Sequence, residues 1–124
     1  VSWSRTDDAT RRSPSPLLMV TRSQVLSWLQ DREPQPPRAL VEQLDAAVRA
    51  APESLLAAES LAGAVANLGV ATLRAVARRQ GVAYDTAMDL LAADALVTYA
   101  FEAASEEYGD VTGLARRLLS ELSA

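Results

Sequence analysis

The stretch Ala83–Glu107, AYDTAMDLLAADALVTYAFEAASEE, decides the fold. It contains neither Gly nor Pro and is dominated by Ala, Leu and other residues compatible with a helix interior. Wound at helical pitch, it puts Tyr84, Met88, Leu91 and Ala95 on one side and Leu90, Val97 and Phe101 on another. A helix that is apolar over so much of its circumference is usually the central one of its domain. The other helices are therefore expected to pack around it.

Working towards the N-terminus, Gly81 is a natural end for a preceding helix, with Arg78 and Arg79 in its last turn, where cations complement the helix dipole. That helical stretch reads from about Ser54 to Gln80, with Leu61, Val65, Leu68, Thr72 and Val76 on one face. Gly63 and Gly69 weaken it, and a kink or break is expected near Asn67–Gly69. Upstream, Leu40, Val41, Leu44, Ala47 and Val48 share a face of a helix opened by Pro36 or Pro37 and ended by Pro52. Glu33–Pro37 is a stiff linker. Before it, Thr21 and Gln24 have capping-box spacing and Val20 and Val25 stand at the hydrophobic-staple positions, so a first helix begins at Thr21 and fails before Pro34. Towards the C-terminus, Gly109 stops the central helix. Asp110 caps a last one, with Val111, Leu114, Leu118 and Leu122 facing inward. No stretch has the alternation of a strand. The expected architecture is all-α: a compact bundle of about five helices over residues 17–124. Residues 1–16, rich in Ser, Pro and mixed charge with Trp3 as their one large apolar side chain, read as a flexible tail.

Composition removes whole classes of chemistry. The 124 residues include no Cys, no His and no Lys, and all 12 basic residues are Arg. Disulfides, thiol nucleophiles, iron–sulfur clusters and nearly all zinc sites need the missing ligands. The side chain most used as a general base near neutral pH is missing too. The Arg and Ala bias suggests a bacterial source with a GC-rich genome. A net charge of −4 matches a polyanion poorly. No apolar run approaches the ~18 residues of a membrane span, and Leu17–Val20 is too short for a signal peptide. The expectation is a cytoplasmic, acidic protein.

Four features compete for a role. Leu73–Val82 followed by Tyr84–Leu91 resembles a DNA-binding helix-turn-helix, with Ala77 four residues before the turn Gly81, an apolar residue after it, and a second helix at once. Such a resemblance implies a transcriptional regulator using Arg74, Arg78 and Arg79. The sequence departs from that pattern at Gln80, where an apolar residue is usual. It departs again in a second helix that offers phosphate Asp85 and Asp89 rather than Arg, Asn or Gln. The stripe Asp94, Thr98, Glu102, Glu106 is a second feature: paired carboxylates hold Mg²⁺ or do acid–base work, but a solvated face explains them with fewer assumptions. Within it, Asp94 sits among Leu90, Leu91, Val97 and Thr98, so burial and an ion pair with Arg74 or Arg78 are expected, with a loss of about 3–5 kcal/mol on Asp94→Ala. Asp94–Glu102 also looks like the helix after the first aspartate-rich motif of polyprenyl diphosphate synthases. The aspartate-rich motifs themselves are absent, so the likeness transfers neither activity nor site residues. Finally, Trp3, Trp28 and Tyr108 are candidate contacts for a protein partner, Trp28 being equally suited to capping the core.

By elimination, the sequence favours a non-enzymatic helical interaction module: an accessory subunit, adaptor or self-associating oligomer, without cofactor, metal or membrane insertion. A helix-turn-helix regulator is the alternative. The expected partner is a protein or a second copy. Nucleic acid is disfavoured, and a small apolar ligand stays open because an apolar pocket leaves no motif.

Overall fold

The computed structural model describes residues 19–79 and 83–123; Trp3 and Gly81 lie outside them. Six helices and no strand occur among the described residues: α1 (Arg22–Gln30), α2 (Arg38–Ala50), α3 (Glu53–Leu56), α4 (Leu61–Arg78), α5 (Ala83–Tyr108) and α6 (Thr112–Ser123). The capping box at Thr21 forms as its spacing requires. The Gln24 N–H donates to Thr21 Oγ1 at 3.2 Å, and the Thr21 N–H donates to Gln24 Oε1 at 2.8 Å. The start of α6 also follows the sequence reading, since Asp110 Oδ1 accepts the Thr112 N–H at 2.9 Å and its hydroxyl at 2.8 Å.

One expected helix is two. The stretch from Ser54 breaks at Ala57–Ser60 rather than at Asn67–Gly69, leaving one turn as α3 and a fresh start at Leu61. Ser60 Oγ caps α4 by accepting the Gly63 N–H at 2.9 Å. The first two N–H groups of α4, Leu61 and Ala62, go to the Glu107 carboxylate at 2.8 and 3.0 Å. Helix α4 runs straight through Gly69 because the glycine is a packing device. A Cβ at position 69 would lie 3.2 Å from Leu96 Cβ and 3.3 Å from the Val97 backbone nitrogen. The close approach of α4 and α5 depends on that missing atom.

These two antiparallel helices form the main interface. Ala62, Val65, Ala66, Gly69 and Val70 of α4 lie at helical spacing and face Ala92, Ala93, Leu96, Ala100, Ala103 and Ala104 of α5, all buried. Small side chains on both sides bring the axes together, as the alanine content suggests. Val25 of α1, Leu44 and Val48 of α2, Leu56 of α3 and Leu118 of α6 complete the core. Arg22, the first residue of α1, reaches across to the C-terminal end of α2 and donates to the carbonyl of Val48, which also accepts the Ala51 N–H, and to that of Ala51 at the C-cap.

Candidate functional site

The C-terminal half of α5 gathers carboxylates, and each has a structural partner. Arg32, just past α1, lays its guanidinium 3.8 Å from the centroid of the Trp28 ring. Its Nη1 donates to Glu102 at 2.8 Å and to Glu106 at 2.7 Å. Its Nε donates to the Trp28 carbonyl at 3.0 Å. The Trp28 indole N–H donates to Glu106 at 3.1 Å, and its ring meets Tyr99 edge-on with centroids 6.0 Å apart. The hydrogen bond from Arg32, and after it the one from Trp28, hold the Glu106 carboxyl below the ordinary glutamate range. Burial and then the Glu102 charge push the Tyr99 hydroxyl above its usual value, with Arg32 opposing. Glu107 caps α4 and Asp110 caps α6. Each of these carboxylates is thus committed to a guanidinium, an indole or a helix start, and among the described residues no group of three or more acidic, His or Cys side chains is arranged to hold a metal ion.

Asp94 behaves differently from its sequence expectation. It is exposed, and among the described residues no ion pair joins it to Arg74 or Arg78. Two residues from Leu96 it stands on the opposite side of α5 from the core. The flanking leucines and Thr98 are themselves exposed, so they bury nothing. Arg74 instead donates to the Glu121 carbonyl near the end of α6 at 3.2 Å, and Arg78 is exposed. In the helix-turn-helix-like segment, Arg79 is ion-paired with Asp89, which also accepts from Gln43 of α2. The helix that follows is 26 residues long, where the recognition helix of a helix-turn-helix is short. Both features depart from the helix-turn-helix pattern. Trp28 is partly buried and its N–H and ring are engaged within the molecule. Tyr108 is 63% exposed at the end of α5, and Trp3 lies outside the described residues.

The feature least explained by internal packing is apolar. Leu90 and Leu91 of α5 are 48% and 52% exposed, and Leu119 and Leu122 of α6 are 68% and 46% exposed. The Arg79–Asp89 and Arg74–Glu121 contacts bring the start of α5 and the end of α6 towards the same end of α4, so these leucines lie towards one pole of the bundle. The sequence reading placed Leu122 inward, put Leu90 and Leu91 on two apolar sides of a central helix, and passed over Leu119. A usable signal existed in the pairs Leu90–Leu91 and Leu118–Leu119, because adjacent residues on a helix point 100° apart and rarely share one core face. In Leu118–Leu119 the first is 5% exposed and the second is the most exposed leucine of α6.

In comparisons with known proteins, no family model, no curated protein and no solved structure matches the chain. No helix of the described residues is long and apolar enough to cross a membrane.

Proposed function

We propose that this protein is a non-enzymatic helical interaction module, acting as an accessory subunit, adaptor or self-associating protein. The supporting observation is the contrast between satisfied polar groups and unsatisfied apolar ones. Among the described residues no buried side-chain polar atom lacks a partner, while four leucines from α5 and α6, towards one pole, stand 46–68% exposed. Single exposed leucines are ordinary on a monomer, but several at one place mark a contact surface. Leucines on two helices suit packing against a further helix.

The test is solution mass by light scattering after size exclusion, at low and high salt, for the full chain and for Leu119→Glu. A dimer or larger species that survives high salt and falls to a monomer in Leu119→Glu places self-association on this face. A monomer throughout moves the reading to a foreign partner, sought with the full chain as bait and Leu119→Glu as the control. Equal capture by both proteins would sink the leucine face as the contact.

A further inference from the structure

A second feature is independent of the leucine pole. Helices α1 and α2 and the turn between them enclose a half-open cavity of about 280 Å³. Its wall is apolar: Leu29 of α1, Val41 and Leu44 of α2, and Pro36, with Tyr99 of α5 beside them. Its rim carries two carboxylates, Glu42 and Asp45, and among the described residues no cationic side chain belongs to the lining.

The wall is built before any ligand arrives. The Gln35 side-chain amide donates to the carbonyls of Leu29 and Gln30 at 3.1 and 3.2 Å, which closes the last turn of α1 and fixes Pro36 at the mouth. Leu44 is 4% exposed and locked into the core, and Tyr99 is held edge-on by Trp28. A preformed wall spares a ligand the cost of ordering it. Each rim carboxylate is held by one exposed arginine a helical turn away. Glu42 is paired only with Arg38, at 3.4 Å and with side chains 69% and 91% exposed. Asp45 pairs with Arg49 at 2.8 Å, also at the surface. Exposed pairs one helical turn apart hold weakly, so a cation delivered by a buried apolar group displaces them at little cost.

We propose that this cavity binds a small hydrophobic cation: an apolar ring or chain of roughly ten non-hydrogen atoms, a size matched to the cavity at interior packing density, bearing one ammonium group. The apolar part lies against Leu29, Val41 and Leu44, and the ammonium sits between Glu42 and Asp45. The same rim repels a carboxylate of equal shape and gives a neutral alcohol only the apolar part of the interaction. The net charge of −4 adds long-range attraction for cations.

The test compares three ligands of one shape, phenethylammonium, 2-phenylethanol and phenylacetate, each titrated into the full chain and followed by amide chemical shifts. Saturable shifts centred on Leu29, Val41, Leu44 and Tyr99 are expected. Phenethylammonium should bind about fivefold tighter than the alcohol, and phenylacetate weakest. Glu42→Gln combined with Asp45→Asn should erase the preference for the cation while leaving alcohol binding in place. Leu119→Glu should bind all three as the unaltered chain does, which separates the cavity from the leucine pole. Equal binding of cation and alcohol, no saturable shift, or shifts centred on Leu90 and Leu119 would each overturn the proposal.

Discussion

The two ends of α5 are made of similar sequence and do opposite things. From Glu102 to Asp110 every carboxylate is spent inside the molecule, two on Arg32, one on the start of α4 and one on the start of α6. From Asp89 to Asp94 the leucines face outward, and Asp94 stands among them. The charged end, where a sequence reader looks for chemistry, is an assembly joint. The apolar end, where a reader looks for core, is the surface left over. What separates them is the partner each meets: α1 and its Arg32 cover the first, and the described elements leave Leu90 and Leu91 about half exposed at the second.

The largest expected effect at the joint comes from Arg32→Ala. It removes a stacked cation and two charge-assisted bonds together, from a side chain only 14% exposed. Because both glutamates are nearly half exposed, the loss should be about 1–2 kcal/mol rather than that of a buried pair. Thermal or urea unfolding reads it, and a midpoint like that of the unaltered chain would reduce the joint to surface decoration.

A smaller effect follows from pH. The Glu106 carboxyl is depressed in the folded state, so its contribution is full above the range where the unfolded chain titrates it and is lost as pH falls through the lower, folded value. Melting temperatures of the unaltered chain and of Glu106→Gln should therefore differ at neutral pH and converge on acidification. Parallel curves across that range would show that the charge on Glu106 does not stabilise the joint.

The smallest effect is expected at the opposite end, where Asp94→Ala should change stability by no more than about 0.5 kcal/mol. A loss of several kcal/mol in denaturant unfolding would mean that Asp94 has a partner after all and that the two ends are alike.

The elements of the bundle were legible where their signals are local. The Thr21–Gln24 box, the Asp110 cap and the spacing of Leu40, Leu44 and Val48 each need only neighbours in sequence. The start of α4 was not legible in this way. Ser60 is followed by Gly63 where a capping box has Glu or Gln, and the carboxylate that completes the cap is Glu107, far along the chain. The joint hid for the same reason, although Trp28–Arg32 and Glu102–Glu106 share a spacing of four and so present matching pairs. Asp94 misled because its neighbours are apolar, and apolar composition around a residue does not say which of those neighbours the core will take.

Arg22 carries one more consequence. A cation in the first turn of α1 opposes the dipole of its own helix, yet it serves the carbonyl end of α2. In the language of energy landscapes it is frustrated locally and satisfied globally. A nine-residue helix is too short to hold by itself in water, and Arg22 makes it shorter in effect. Helix α1 therefore depends on α2 at its start, as it depends on α5 through Trp28 and Arg32 at its end.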